Sequence, residues 1–399
     1  MPVRIITALA LVLSTMFSAA SARAQQQWPL SVTDDSGVQT TFSGPPQRIV
    51  SLNPGHTETV FALGAGGRVV AVDSYSNYPA EAQQVGTRLT TYPTVSVETV
   101  VSLKPDLVLS LVDSDDVLNQ LRQQGIPVLK LFPKDFDATA GDIEMLGRVL
   151  GAPDAGQRIA GDMRARRDAV VQSLAGAERP RVYLEIDGTD PTRPYVAGPN
   201  GYYGQLVDLA GGSNVFGDLP GDFGQVGSES VVARDPELIV LADSYSPFDP
   251  QTPAMVAARP GWDQTTAVQN GEIYAVQEQL LSSPGPRLVD GLQGLAYLIH
   301  PDRFTASGGP RLAPINGQLP YCAPGQAPAF SFGFQVLADS LGTEMGEPTE
   351  CAHAEVGSGD TYQQTTKGLA IYRHSDNTPS FVSAAGRWTL TQDGVVQEQ

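Results

Sequence analysis

Positive charge, histidine and cysteine are all scarce in this chain of 399 residues. Lys and Arg total 25 against 43 Asp and Glu, so the formal net charge is −18, which argues against a nucleic-acid partner because phosphate binding needs a concentrated positive surface. Four scattered His and two Cys leave no clustered set of metal ligands. No motif joins a nucleophile to a base, so an extracellular hydrolase has no catalytic set here. We therefore expect a protein that is not an enzyme, holds no metal and has no intrinsic cofactor.

The first 24 residues have the pattern of a secretory signal peptide. Arg4 precedes an apolar stretch, and Ala22-Arg-Ala24 offers a small-x-small cleavage site. We expect cleavage after Ala24 and a mature chain that works outside the cytoplasmic membrane, in the periplasm, secreted or associated with the envelope. The alternative is an N-terminal membrane anchor, for which the apolar stretch is short. In an oxidising compartment Cys322 and Cys351 are expected to form one disulfide, with two unpaired thiols as the alternative.

Short apolar strands alternate with helical stretches from Arg48 onward, and this alternation predicts an α/β fold with parallel, doubly wound sheets. A long helical region from Asp142 to Ala175 divides the pattern in two and is interrupted near Gly151-Ala-Pro153. Its second part has few apolar residues, which suits a helix that bridges two bodies. The alternation resumes after Arg179-Pro180.

An internal repeat supports two related lobes. The segments Val95–Leu109 and Val226–Val240 align without a gap and share six of fifteen residues, including Glu98 and Glu229. A helix that ends in Ala-Gly-Gly precedes each copy. We therefore predict two lobes with the same α/β plan, related by duplication or by convergence.

After Phe304 the composition changes to turn-rich segments that contain both cysteines and a short helix near Phe334–Leu341. We predict a small β-rich or α+β module that is held by a disulfide. The predicted organisation is a signal peptide at 1–24, an N-terminal α/β lobe at 25–140, a bridging helix at 141–178, a C-terminal α/β lobe at 179–304, a linker at 305–314 and an accessory module at 315–399.

Aromatic residues collect where ligands bind in such sheets, beyond the carboxyl ends of the strands. Tyr75 follows one predicted strand, and Tyr195 and Tyr245 follow two others in the second half, while Phe223 lies just before the repeated Glu. Rings of this kind give a large contact area with few rotatable bonds, which suits a bulky, flat or apolar ligand. The alternative for any one of them is packing of a loop residue on its own lobe.

Glu98 and Glu229 each lie in the first turn of a predicted helix. The helix dipole alone stabilises a carboxylate there by about 0.3–1 kcal/mol, which suffices to explain either residue. It does not explain why both copies of the repeat have Glu at the same place. Two acidic points, one on each lobe, match a partner with two Arg pockets.

These features resemble the solute-binding proteins of bacterial ABC importers for cobalamin and iron complexes, over about Trp28 to Phe304. The resemblance rests on an ordered series of segments: Arg48-Ile-Val-Ser-Leu-Asn-Pro54, Thr57-Glu58, Phe61-Ala-Leu-Gly-Ala-Gly66, Asp73-Ser-Tyr-Ser-Asn-Tyr-Pro79, Leu103-Lys-Pro-Asp-Leu-Val108, Ala210-Gly-Gly212, Ala233-Arg-Asp-Pro236 and Ser283-Pro-Gly-Pro-Arg-Leu288. It implies two α/β lobes joined by one long rigid helix, a ligand held between them, and a Glu on each lobe that contacts Arg residues of the permease. Glu98 and Glu229 match those positions.

The resemblance also implies a ligand class. Tyr75 is similar to a tyrosine that packs on cobalamin in the cobalamin binders, and Tyr195 and Phe223 fall where aromatic contacts occur in those proteins. The segment Arg88-Leu-Thr-Thr-Tyr92 departs from the family because it is longer and lacks an expected Trp. Arg88 or Arg287 is equally suited to an anionic siderophore or a haem propionate.

We therefore expect a monomer that captures a corrinoid and delivers it to an ABC permease, with a ferric siderophore or haem as the alternative ligand. An alternative of another class is a secreted adhesion or scaffold protein that acts through its C-terminal module. The expected ligand contacts are Tyr75, Arg88, Tyr92, Tyr195, Phe223, Tyr245 and Arg287.

Overall fold

The fold is seen in a computed structural model of the chain. It describes residues 27–91, 94–111, 115–244, 251–276, 278–304, 330, 333–346, 348, 352–354, 361–365, 367–373, 378–383, 386–391 and 394–398. Among these residues no helix is both long enough and apolar enough to cross a bilayer.

The N-terminal lobe is built on a parallel sheet in the order β5-β4-β3-β6-β7, preceded by a separate antiparallel β1–β2 hairpin. Its elements are β1 (Leu30–Thr33), β2 (Gln39–Phe42), β3 (Ile49–Ser51), α1 (Pro54–Ala62), β4 (Val69–Asp73), β5 (Arg88–Leu89), α2 (Val97–Ser102), β6 (Leu107–Ser110), α3 (Asp115–Gln123) and β7 (Val128–Lys130). Asn53 starts α1, since its side chain accepts a hydrogen bond from Gly55 N at 2.8 Å. Gly64, with a φ of 76°, follows the end of the helix.

Two packed helices lead from this lobe to the next. They are α4 (Phe136–Val149) and α5 (Pro153–Ser173), so the helical region is interrupted where the sequence predicts. Gly147 and Gly156 let the two backbones touch, because a Cβ on Gly147 would lie 2.9 Å from the Gly156 Cα. With 21 residues, α5 spans about 31 Å and is the long bridging helix of the predicted fold class.

The C-terminal lobe has a mixed sheet in the order β11-β9-β8-β12-β13, with β10 also pairing with β8. Its elements are β8 (Arg181–Asp187), β9 (Tyr195–Ala197), α6 (Tyr202–Leu209), β10 (Ser213–Asn214), β11 (Phe223–Gln225), α7 (Ser228–Arg234), β12 (Leu238–Leu241), α8 (Pro253–Ala257), α9 (Thr266–Asn270), β13 (Ile273–Ala275), α10 (Glu278–Ser282), α11 (Leu288–Ile299) and α12 (Pro301–Phe304). The predicted α/β fold with parallel strands is confirmed, and β9 and β11 are added to this sheet as antiparallel strands. The loop between β8 and β9 is too short for a crossover helix, so β9 returns beside β8.

The two lobes follow the same plan around their central strands. The helix α2 leads into β6, which pairs with β3, and α7 leads into β12, which pairs with β8. These four strands are buried apart from the two ends of β8, as expected for parallel strands covered on both faces. The repeat found in the sequence therefore corresponds to equivalent helix–strand units.

The C-terminal part is an antiparallel sheet with one helix, and it packs on the C-terminal lobe. Its described elements are α13 (Gly333–Leu341), β14 (His353–Ala354), β15 (Thr361–Gln364), β16 (Gly368–Arg373), β17 (Thr378–Ser383), β18 (Gly386–Thr391) and β19 (Gly394–Glu398), with the strands paired in chain order. Phe381 packs with α13 on one face. Leu369 and Ile371 pack with Ala275 and Met255 of the lobe on the other face.

Candidate functional site

A loop after β4 presents two tyrosine rings at the carboxyl edge of the first sheet. Asp73 ends β4, and its carboxylate accepts hydrogen bonds from Tyr75 N at 2.8 Å and from the Ser76 hydroxyl. Burial raises the pKa of Asp73, and the bonds from Ser76 and Tyr75 oppose that effect. The side chains of Tyr75 and Tyr78 are 39% and 37% exposed. The loop backbone is therefore fixed from inside while both tyrosines stay more than one third exposed.

Arg88 holds the same loop from the neighbouring strand β5. Its guanidinium donates to the carbonyl oxygens of Asp73 at 3.3 Å, Ser74 at 3.2 Å and Ser76 at 3.1 Å. Gln83 donates to the carbonyl of Asn77 at 3.0 Å. The structure thus places Arg88 against the loop that contains Tyr75, with its charge directed at backbone carbonyls, and its predicted ligand contact stays a prediction.

A second aromatic pair lies at the corresponding edge of the other lobe. Tyr195 pairs with Asp187, the last residue of β8, so it lies at the carboxyl edge of the second sheet. Phe223 on β11 contacts Tyr195 edge to face, with ring centroids 6.5 Å apart. The two side chains are 38% and 58% exposed. The antiparallel strands that the sequence does not predict are the elements that present these rings.

The lobes meet between the first turn of α1 and the segment just before α11. Arg287 forms a two-pronged ion pair with Glu58, with Nε to Oε2 at 2.9 Å and Nη2 to Oε1 at 2.6 Å. The same guanidinium lies 3.7 Å from the centroid of the Tyr78 ring. Gln279 of α10 also reaches across and donates to the Tyr75 carbonyl at 3.4 Å. The loop after β4 that contains Tyr75 and Tyr78 therefore contacts the C-terminal lobe as well as its own.

Burial controls the charge state of the groups at this contact. Glu58 is 3% exposed, and burial raises the pKa of its carboxyl, while the hydrogen bond and the charge of Arg287 oppose that rise. The neighbouring His56 is also buried, which lowers the pKa of its imidazole to about 4 and keeps the ring neutral at pH 7. The N-terminal half of α1 therefore contributes one paired charge, on Glu58, and one neutral ring, on His56.

A buried ionic network lies under the second sheet's carboxyl edge. Arg259 forms two bonds to Glu185, at 2.6 and 2.8 Å, and a third to the Gln251 side chain at 2.9 Å. Tyr183 donates to Glu185 at 2.5 Å. Burial and the charge of Glu185 raise the pKa of Asp243, which accepts a hydrogen bond from Gly188 N at 2.7 Å. This network fixes the carboxyl ends of β8 and β12.

Sequence reasoning missed both buried ion pairs, because their partners lie far apart in the chain. One signal was available: Glu58 falls within a helix whose neighbours Thr57, Thr59 and Val60 are apolar or small, which indicates a buried position that needs a cation. Nothing in the sequence identifies Arg287 as that cation.

Glu98 and Glu229 are both exposed in the first turns of equivalent helices. Ser96 caps α2 by accepting from Thr99 N at 3.2 Å, and Glu98 lies in the turn that follows. Glu229 occupies the same place in α7. Neither residue has an ion pair among the described residues. Their carboxylates are free to meet a partner, which is the arrangement that the docking prediction needs.

Several predicted residues cannot be placed. Tyr92, Tyr245, Cys322 and Cys351 lie outside the described residues, so the two tyrosine contacts and the disulfide stay predictions. Within the described parts of the chain, no three His, Cys, Asp or Glu side chains gather in a group that could hold a metal ion. A cavity of about 790 Å³ lies on the flank of the N-terminal lobe, with Glu58 and Tyr78 in its lining.

Comparisons with known proteins point to one family. A family model described as periplasmic binding protein matches residues 49–280. The chain is 31% identical over 285 residues to the uncharacterized ABC transporter substrate-binding lipoprotein YvrC of Bacillus subtilis, covering 69% of this chain and 87% of the relative. It is 30% identical over 281 residues to a cobalamin-binding protein of Halobacterium salinarum, covering 68% and 74%.

A solved structure agrees with these sequence relatives. The periplasmic heme-binding protein RhuT from Roseiflexus sp. RS-1, in apo form, superposes with a TM-score of 0.58 at 28% identity. The match covers 64% of this chain and 99% of that protein. The C-terminal sheet lies beyond the matched family region, which ends at residue 280.

Proposed function

Because the chain belongs to the periplasmic binding protein family, we propose that it captures a corrinoid between its two lobes and delivers it to an ABC permease. Family membership makes it a substrate-binding protein of an ABC importer for ligands of the cobalamin, siderophore or heme type. The corrinoid is the specific ligand that we infer from the site. No catalytic chemistry is needed for this role.

The proposal rests on one combined observation: aromatic rings are exposed at the sheet edges, whereas the two candidate arginines already have hydrogen-bond partners. Tyr75 and Tyr195 lie at the carboxyl edges of the two sheets. Tyr195 contacts the exposed Phe223 ring, and the loop of Tyr75 also has the exposed Tyr78. Flat macrocycles gain contact area from such rings. Arg287 is bound to Glu58 and Arg88 to backbone carbonyls, so neither guanidinium is spare for a carboxylate. A corrinoid, whose rim has neutral amides, suits this lining better than a ligand that needs bidentate Arg contacts.

A competition titration tests the ligand. Full-length protein is titrated with cyanocobalamin, hemin and a ferric hydroxamate while its intrinsic fluorescence is followed. We expect saturable 1:1 binding of cyanocobalamin and at least tenfold weaker binding of the other two. Preference for hemin or the ferric hydroxamate would replace the corrinoid with the alternative ligand, and silence toward all three would contradict the proposed ligand class.

We also propose that Glu98 and Glu229 dock on the permease. Their exposure and equivalent positions on the two lobes support contacts with two Arg sites on a membrane partner. The double variant Glu98→Ala/Glu229→Ala should abolish uptake by cells while leaving ligand affinity unchanged. The control is Asp116→Ala/Asp263→Ala, which removes one exposed acid from each lobe and the same total charge. Loss of affinity in the Glu variant would instead assign these residues to the ligand site.

Processing and assembly are proposed from the sequence. We propose cleavage after Ala24, export from the cytoplasm, a Cys322–Cys351 disulfide and a monomeric mature protein. Mass spectrometry of the exported protein, before and after reduction, tests the cleavage site and the disulfide together. Light scattering of the same sample tests the monomer.

A further inference from the structure

Two glycines bring the backbones of the lobes into contact. Gly55 lies in the first turn of α1, and Gly285 lies between α10 and α11. A Cβ on Gly55 would lie 2.5 Å from the Pro284 carbonyl oxygen, and a Cβ on Gly285 would lie 2.8 Å from the Gly55 carbonyl oxygen. Neither position has room for a side chain, so the distance between the lobes at this point is set by backbone contact.

The Glu58–Arg287 ion pair extends from this contact on both sides. Glu58 follows Gly55 by one helical turn, and Arg287 follows Gly285 by two residues. Two parallel N–H···O bonds fix the orientation of a guanidinium as well as its distance. Because Glu58 is 3% exposed, the pair is shielded from the water that screens surface ion pairs. The pair therefore fixes the relative orientation of α1 and the start of α11.

The same guanidinium determines where Tyr78 lies. It is held between the Glu58 carboxylate and the Tyr78 ring, 3.7 Å from the ring centroid. The Tyr78 side chain keeps 37% of its surface exposed. A ring of the N-terminal lobe thus rests on a cation of the C-terminal lobe and still keeps exposed surface.

We propose that Glu58 and Arg287 are positioning residues for ligand capture, which fix the spacing of the lobes at the Gly55–Gly285 contact and hold the Tyr78 ring for the ligand. The inference rests on the proposed function. It gives Arg287 a different part from the direct contact with an anionic ligand that the sequence suggests. In this role Glu58 matters as much as Arg287 for positioning the lobes and the Tyr78 ring, although no sequence motif marks it as a ligand contact.

The chain supplies a matched control within one lobe. Arg234 also forms a two-pronged pair with a carboxylate, Asp218, at 2.8 and 2.9 Å, and its guanidinium lies 4.6 Å from the Phe216 ring centroid. This arrangement has the same groups as the Arg287 site without joining the lobes, and it is more exposed, at 36% for Arg234 and 65% for Asp218. Arg234→Gln therefore shows the effect of losing an arginine–carboxylate pair while the contact between the lobes stays unchanged.

The first measurement needs no ligand. Tyr78→Trp is introduced into the full chain, and acrylamide quenching of the added indole is obtained by difference from the chain without that change. Adding Arg287→Gln or Glu58→Gln should raise the quenching constant at least twofold, because the ring loses its support. Adding Arg234→Gln should leave it unchanged. Equal quenching in all four backgrounds would overturn the positioning role.

The second measurement follows ligand release. With cyanocobalamin, Arg287→Gln and Glu58→Gln should each raise the dissociation rate roughly three- to tenfold, while the double variant adds little because both residues serve one contact. Arg287→Lys keeps the charge but loses the forked guanidinium, so its dissociation rate should lie between those of the parent and Arg287→Gln. Rates equal to those of the parent would overturn the inference. If the parent binds none of the tested ligands, the proposed function fails, and the quenching result alone decides whether Arg287 positions Tyr78.

Discussion

Lys104 and Asp235 occupy equivalent turns of the two lobes and share a left-handed backbone conformation, with φ of 50° and 45°. Each follows a helix of the repeat and precedes a proline. Arg48 donates to the Lys104 carbonyl at 3.1 Å, and Arg181 donates to the Asp235 carbonyl at 2.7 Å. The likeness of the two lobes therefore extends to an uncommon backbone conformation and to the arginine that holds it.

The two turns should respond differently to glycine. Lys104→Gly relieves backbone strain of about 1–2 kcal/mol in the left-handed conformation. Glycine also makes the unfolded chain more flexible, which lowers stability by about 0.5–1 kcal/mol. The net stability should therefore rise slightly. Asp235→Gly should lower stability, because its carboxylate accepts from Thr266 N at 2.7 Å and from the Thr266 hydroxyl at 3.0 Å. Melting temperatures of both variants check this, and a fall for Lys104→Gly would contradict it.

Gly55→Ala should destabilise the protein even though it lies in a helix. Alanine is favoured over glycine by about 1 kcal/mol in a helix interior. The added Cβ would meet the Pro284 carbonyl at 2.5 Å, and backbone cannot rotate away as a side chain can. Overpacking of this kind costs about 1–3 kcal/mol, so the net effect is a lower melting temperature.

Gly67→Ala is the control for that variant, since a Cβ there has nothing within 4 Å. We expect its melting temperature to stay close to that of the parent. If Gly55→Ala were as stable as Gly67→Ala, the lobes would not be in fixed contact at Gly55.

Much of the α/β plan is predictable from local patterns. The strand at Leu107–Ser110 and the helix start before Glu98 follow from a buried apolar run and a Ser cap. The repeat predicts that Glu98 and Glu229 occupy equivalent places, and they do. These features depend on contacts between residues close in sequence, which periodicity and capping record.

The remainder depends on contacts between distant residues. The strands β9 and β11 are three residues long, too short for a periodic signal, and their pairing presents Tyr195 and Phe223. In the sequence Arg287 looks like a ligand contact, because its ion-pair partner Glu58 lies 229 residues away. Local patterns predict the parallel strands of both sheets but include neither the antiparallel pairing of β9 and β11 nor the partner of Arg287. The ligand contact of Arg287 stays a prediction.

The stability of the protein should depend on pH through Asp142. Burial, and secondly the charge of Asp35, raise the pKa of Asp142 to about 8. Between pH 4 and 8 the folded protein keeps a proton that the unfolded chain releases, so stability falls as pH rises, by at most about 1.4 kcal/mol per pH unit. Asp142→Asn removes this term. Its melting temperature relative to the parent should therefore climb from pH 5 to pH 8.

Asp116→Asn serves as the control, because Asp116 is exposed on α3. Its melting curve should run parallel to that of the parent over the same range. A constant difference between Asp142→Asn and the parent at all pH values would show that the Asp142 carboxyl is ionised in the folded state.

The C-terminal sheet should depend on its contact with the lobe. Leu369 is fully buried where β16 packs against Ala275 and Met255. Leu369→Asp buries a charge in this apolar cluster, which costs several kcal/mol or forces the sheet away from the lobe. We expect a lower melting temperature and faster proteolysis of the C-terminal part. Val396→Asp, on the 50% exposed face of β19, should change neither, and equal behaviour of the two variants would mean that the sheet does not need the lobe for its stability.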